Sequence, residues 1–398
     1  MSLGQLMKKR KLVILGLNSG TSSDGLDMAA IAITRGKHGI STKFLKGHKK
    51  SYPAILRTKI LNLADSKSTT LEEIISINNS VGEFFGENAA SFSKKLSHTG
   101  IIVDAVASHG QTVRHIPVAS SKTKYSRGTF QIGSLEMIAA SSQKITVGDF
   151  RQADVALGHE GAPITVSAMQ RLFASNKESK LIVNIGGVSN FFYYPLNYKK
   201  LRPLARDCGP GNSLCDILCE KLFNRKFDQN GKIASSGKPS KRILTLLLAE
   251  PFFRNKTIST GREIFGKNFA EKITSLGKKF DLPRADIIST AAELTVLAIA
   301  NKIRPLCKRD SSLSKLYLTG GGRKNKFFVK RLAETLGNIK IESADELGFN
   351  ADFIEAAAFA VMGEACLRSE PLPTVFDGIN RTTAYPVLGK IAQPPVKI

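Results

Sequence analysis

The chain has 398 residues, more than one hydrophobic core usually sustains, so two domains are expected. Apolar residues at 42% and charged residues at 23% are ordinary for a folded globular protein and exclude a disordered or low-complexity class. The net charge of +25 raises the question of a polyanionic partner. However, outside Lys8-Lys9-Arg10-Lys11 the basic residues are spread in pairs such as Lys49-Lys50, Lys94-Lys95 and Lys278-Lys279. With no zinc finger or aromatic–glycine box beside them, a solvated basic surface is expected, with no specific nucleic-acid partner.

The basic opening is followed by an apolar run that breaks at Asn18-Ser19-Gly20, so no secretory signal is expected. No apolar run approaches the roughly 18 residues of a membrane helix. Five oddly spaced cysteines make no disulfide scaffold, and a cytoplasmic location fits.

Residues 12–33 predict a β-hairpin, two apolar strands joined by Ser19-Gly20-Thr21-Ser22-Ser23-Asp24-Gly25. A third strand over 41–47 makes the start of the sheet antiparallel. Residues 71–96 read as a helix, with Glu72, Glu73 and Glu83 among Ile74, Ile75, Val81 and Phe84. A strand over 101–108 runs into the polar turn His109-Gly110-Gln111-Thr112, where open α/β sheets place ligand groups. Short strands at 130–133 and 145–148 flank a helix near 134–140.

A second unit is expected to begin near residue 150. It takes in a helix over 165–174, a hairpin over 181–196, the turn at 206–212 and a helix over 214–223. Next come a glycine, serine and lysine loop over 231–242 and an apolar helix over 290–303. A strand over 316–319 leads to Gly320-Gly321-Gly322 and a helix from Lys326. The last helix, 354–367, carries Ala356, Ala357, Ala358 and Ala360, which permit close approach to a neighbour. The repeated hairpin predicts two similar α/β lobes with mixed sheets, 1–145 and 146–367, the tail at 368–398 packing back on the first.

Four stretches could carry chemistry. In the first turn, Gly20 and Gly25 allow tight turning, Thr21 and Ser22 could hold phosphate oxygens, and Asp24 or Asp27 could orient magnesium; an ordinary capped hairpin turn is the alternative. Gly320-Gly321-Gly322 lets a nucleotide lie against the backbone, or serves a tight helix–strand crossover. Asp207, before Gly209-Pro210-Gly211-Asn212, is either a positioned general base or a cap on the next helix. Arg151 could grip a carboxylate or phosphate, or pair with Asp149 and Asp154. His109 and His115 are poorly spaced for zinc and suit hydrogen bonding to substrate or loop. No GxxxxGK[ST] or early GxGxxG spacing is present, which argues against P-loop and nicotinamide-binding folds.

With these residues in view, the chain resembles the anhydro-N-acetylmuramic acid kinase family of the actin/sugar-kinase superfamily. The resemblance rests on SGTSSDGLD, SHGQTVRH, TFQIG, DFRQADVALGHEGAP, NIGGVSN, DCGPGNSLCD, STGREIFG, TGGGRKN and EAAAFA, in order from residue 19 to residue 360. It implies a two-lobed actin-like/sugar-kinase (ribonuclease H-like) α/β fold with mixed sheets and a central nucleotide cleft that closes during turnover. The implied reaction takes 1,6-anhydro-N-acetylmuramic acid, ATP and water to N-acetylmuramic acid 6-phosphate and ADP, in cell-wall sugar recycling.

On that pattern Asp207 is the catalytic base. Ser19, Gly20, Thr21, Ser22, Asp24, Gly25 and Asp27 hold the ATP phosphates, Asp24 helping to place Mg2+. Asn184, Gly186 and Gly187, with Gly320, Gly321 and Gly322, contact the nucleotide. His109, Gln111, Thr112, Arg151 and Glu355 contact the sugar. A homodimer is the family expectation. This chain departs from the family's pattern at Asn18, where methionine is common, and at His159-Glu160, where Gly-Gln is usual. The rival readings are a kinase for a related anhydro sugar, an uncoupled anhydro-sugar hydrolase and a non-catalytic nucleotide-dependent polyanion binder.

Overall fold

The computed structural model describes residues 2–20, 22–37, 39–66, 68–116, 126–175, 177–196, 203–254, 262–374 and 385–396. Described residues up to Phe173 and from Gly348 onward form one compact unit, and Ala174–Leu347 form the other.

In the first unit, β1 (Lys11–Ser19), β2 (Gly25–Gly36) and β3 (Gly39–Ser51) are a consecutive antiparallel run. Next come β4 (Ala105–Ile116), β5 (Gly128–Ile132) and β6 (Ile145–Gly148). Strands β4 and β6 add in parallel beside β1, in the order β3-β2-β1-β4-β6. The central β1 is buried along most of its length, as its unbroken apolar run requires, whereas lysine-rich β3 lies at the edge with much of its surface exposed. The strand read at 101–108 is displaced: β4 starts at Ala105 and continues through His109–Thr112, so those polar residues lie inside a strand.

The helix Leu71–Ser97 is capped by Thr70, whose hydroxyl accepts from the Glu73 amide at 3.2 Å. Glu72 and Glu73 in its first turn and Lys94 and Lys95 in its last complement the helix dipole. Its Ile77, Val81, Phe84, Phe85 and Phe92 enter the core. The helix Ile354–Leu367 buries every residue except Glu355 and packs on β1, β2 and β4. Such a helix, apolar on all sides, needs protein around it.

The division falls at Phe173 rather than near residue 146, and Gly348 onward returns to the first unit. The reason is pairing: β6 belongs to the first sheet, and the helix Ile354–Leu367 covers that sheet. Within the tail, Lys390–Ala392 pairs with Thr146–Gly148.

The second unit repeats the plan. Strands β7 (Lys180–Ile185), β8 (Val188–Tyr194) and β9 (Leu204–Pro210) form an antiparallel run, and β10 (Lys315–Thr319) and β11 (Lys340–Ser343) add in parallel beside β7. The resulting order is β9-β8-β7-β10-β11. The central helix Arg284–Arg309 is longer than the apolar stretch 290–303 suggested, and the presumed loop after Gly231 contains the helix Lys232–Ser236. Both units therefore carry the expected mixed α/β sheets.

Candidate active site

In the first unit the ends of β1 and β4 bring the proposed phosphate and sugar residues together. Ser19 and Gln111 are strand partners past a register shift. The Ser19 hydroxyl accepts from Tyr52 at 3.0 Å and lies 2.6 Å from Gln111 Oε1 and 2.9 Å from the Gly25 carbonyl. Gln111 Nε2 donates to the carbonyls of Gly20 at 3.3 Å and Thr112 at 3.2 Å, and Thr112 Oγ1 accepts from Gln131 at 3.2 Å. The loop from Gly20 to Gly25 is thus pinned at both ends. Ser22 and Asp24 on it are exposed. Thr21 lies outside the described residues.

Arg151 is the hub of the residues expected on the sugar side. Its Nε donates to His109 Nε2 at 3.1 Å, and its Nη1 donates to the Gly161 carbonyl at 2.6 Å. Accepting at Nε2 puts the His109 proton on Nδ1. Burial first, and the Arg151 charge second, hold this imidazole neutral with its pKa far below the usual histidine value. The ring stacks on Phe359, centroids 4.6 Å apart. Burial also lowers Arg151 to about 10, against the pull of Glu355 and Asp154. His115 is pushed down to about 4 by burial and by Arg151.

The alternative ion network around Arg151 does not form by direct pairing. Asp149 pairs with Lys390 at 2.6 Å. Asp154 accepts from the Gly161 amide at 2.8 Å and lies 2.8 Å from His159 Nδ1.

Glu355 sits in the first turn of the helix Ile354–Leu367, where the dipole favours an anion. Asn18 Nδ2 donates to its Oε2 at 2.9 Å. The side chain is open to solvent, yet the protein around it pushes its pKa up, and Asn18 and Arg151 pull it back. Asp27 faces Lys49 at 3.2 Å. Burial raises Asp27 to about 6 despite that lysine, with the nearby Glu355 and Asp352 charges adding to the rise.

In the second unit the glycine turns converge at the ends of β7, β9 and β10. The amides of Gly211 and Asn212 donate to the carbonyls of Gly187 at 3.1 Å and Gly186 at 2.8 Å, and Asn212 Nδ2 donates to Ile185 O at 2.9 Å. Gly320 has φ +75°, and a Cβ there would sit 2.3 Å from Asn184 Oδ1, so only glycine fits. Strand ends of this kind are where open α/β sheets take ligands.

Asp207 is not on a turn. It lies in β9, buried, directly opposite Asn190 of β8. The register shift beside it pairs Ser189 with Gly209 and Asn190 with Asp207, leaving Cys208 as the extra residue of a bulge. Bulges re-aim side chains and are enriched beside active sites. The following helix, Asn212–Phe223, has Gly211 as its N-cap residue.

Sequence reasoning passed over two features. Asn190 Oδ1 is buried without a hydrogen-bond partner among the described residues, and its place opposite Asp207 became visible only through strand register. An open pocket of about 410 Å3 is lined by Asn230, Lys232, Ser235, Ser236 and Lys326, of which the sequence reading places Lys232, Ser235 and Ser236 in a loop and Lys326 at the start of a helix. Lys326 opens the helix four residues beyond Gly322. The lysine and serine content of 231–242 was the available signal. Among the described residues no group of three metal-ligating side chains is assembled, and no helix is long and apolar enough to cross a membrane.

A model of the family described as "Anhydro-N-acetylmuramic acid kinase" matches residues 12–393. Relatives of the same description include those of Caldanaerobacter subterraneus, 33% identical with 98% of each chain covered, and Coxiella burnetii, 34% identical with 91% of this chain and 93% of that one covered. A third, from Shewanella frigidimarina, is 33% identical over 94% of this chain and 96% of its own. Two mixed α/β sheets of like plan accompany this match, and the chain belongs to the anhydro-N-acetylmuramic acid kinase family.

Proposed function

We propose that this kinase uses Asp207 to draw a proton from water attacking the anomeric carbon of 1,6-anhydro-N-acetylmuramic acid. The C1–O6 bond breaks as the water oxygen bonds C1, and O6 attacks the γ-phosphorus of ATP, releasing ADP. The bulge that aims buried Asp207 beside Asn190 carries this reading. A base needs fixed direction before it needs a shifted pKa.

Nucleotide binding falls to the convergent turns at Gly186-Gly187 and Gly320–Gly322 with Asn184, and to the loop Ser19–Gly25 with Asp27. The basic, hydroxyl-lined cavity by Lys232 and Lys326 suits the polar rim of the same nucleotide. The exposed carboxylate of Asp24 fits magnesium, which binds through one or two carboxylates plus phosphates; when bound, the ion neutralises charge on the transferring group. His109, Gln111, Thr112, Arg151 and Glu355 offer the mixed donors and acceptors a sugar requires. The free thiols suit a cytoplasmic enzyme.

Mass spectrometry of ATP, anhydro sugar and 18O-water with the intact protein tests this. The expected product carries phosphate on O6 and solvent oxygen at C1. Asp207→Asn is expected to lower kcat by about 10²- to 10⁴-fold. Parent-rate turnover in that variant would remove Asp207 from the mechanism. Anhydro-sugar opening without ATP use would point instead to a hydrolase.

A further inference from the structure

We infer that Asn18 is a positioning residue, holding the Glu355 carboxylate in one direction and in its ionised form. This rests on the reading that Glu355 faces the sugar.

The side chain of Asn18 is an anomaly of composition and of place. β1 is apolar from Leu12 to Leu17, and Asn18, which follows, is only 5% exposed. A buried amide is costly unless it is hydrogen-bonded. Its donor is committed to Glu355 Oε2 at 2.9 Å, across 337 residues of sequence. A thioether or an aliphatic side chain there could not donate.

The groups around Glu355 pull its charge in opposite directions. Arg151 favours the carboxylate, and surrounding protein opposes it. Asp27, paired with exposed Lys49, is coupled to Glu355 as a like charge, and Asp352 lies close on the chain and also acts on Asp27. His109, one helical turn along on Phe359, is neutral and adds no charge. Arg151 also serves His109 and the Gly161 carbonyl, so its guanidinium is divided. Asn18 supplies a donor from the rigid centre of the sheet, which fixes orientation as well as charge.

The test follows the Glu355 side-chain carboxyl carbon by NMR in the full chain labelled with 13C-glutamate, the resonance assigned by its loss in Glu355→Gln. Asn18→Leu keeps the shape without the donor, and Asn18→Met removes the donor with an unbranched side chain. Both are expected to raise the Glu355 midpoint by about one pH unit, from the usual strength of a hydrogen bond to a charged group. Asn18→Asp, which puts a second carboxylate there, is expected to raise it further.

The acid limb of kcat/KM for the anhydro sugar should move with the midpoint, while the KM for ATP stays unchanged. An unmoved midpoint in Asn18→Leu and Asn18→Met overturns the proposal. If the midpoint moves but the sugar profile does not, and Glu355→Gln leaves the sugar KM unchanged, Asn18 still positions Glu355 and the sugar-side role of Glu355 falls instead.

Discussion

Glu364, near the C-terminal end of the helix that presents Glu355, is a carboxylate only 1% exposed. Arg35 grips it with two bonds, Nε to Oε1 at 2.7 Å and Nη2 to Oε2 at 3.0 Å. Arg368 adds a third contact at 3.2 Å, and Glu370 links Arg35 to Arg171. Arg35→Met keeps the aliphatic stem and removes the charge. Breaking a buried ion pair costs about 3–5 kcal/mol because the partner stays charged without its counterion. Arg368 remains on Glu364, and Arg35 is itself partly exposed, so the low end, about 3 kcal/mol, is expected; this is a factor of about 10² in the opening equilibrium.

Because two units need not unfold together, the assay is native-state hydrogen exchange of the helix amides at 356–366, read by mass spectrometry. Exchange there should speed about 100-fold while the second unit's helix 284–309 is unaffected. Replacing Glu364 with leucine in the Arg35→Met background should recover much of the loss, since the stranded charge is then gone. Protection changed by less than about 3-fold in Arg35→Met would refute the idea that this network anchors the helix.

Asp27 makes a prediction of opposite sign to most carboxylates. Its pKa is raised to about 6 in the folded protein, from 3.8, mainly by burial, so between those values the folded state binds more protons and stability falls as pH rises. Asp27→Asn should therefore stabilise the first unit by about 3 kcal/mol well above pH 6, with the gain gone below about pH 4. Urea midpoints measured at pH 3.5 and 7.5 check this, and an equal effect at both would count against it. Gly320→Ala should weaken ATP binding by at least about 10-fold in calorimetry and leave sugar binding unchanged, since its φ of +75°, the Asn184 Oδ1 and the Ile185 carbonyl leave no room for a methyl.

Much of the architecture was legible because its signals are local. The hairpin over 12–33 and the hairpin over 181–196 announce themselves by apolar runs broken at glycine-bearing turns, and both form. The helix Leu71–Ser97 is written in its cap, its charges and its spacing. The site was less legible wherever the deciding partner is distant in sequence. Asp207 reads locally as a turn residue or a cap, and only pairing with β8 makes it a strand residue aimed by a bulge. His109–Thr112 read as a turn after an apolar strand, yet pairing with β5 extends β4 through them.

The order of amino acids by itself determined which segments become strands and helices, and through its motifs the family and the chemistry to look for. Turn and periodicity rules act over a few residues, which is why they can be read from the chain alone. The tertiary structure decided where one unit ends and the other begins, which donor Glu355 receives, and how Asp27 and His109 are charged. Those depend on burial and on contacts such as Asn18 with Glu355, which no local stretch of chain encodes.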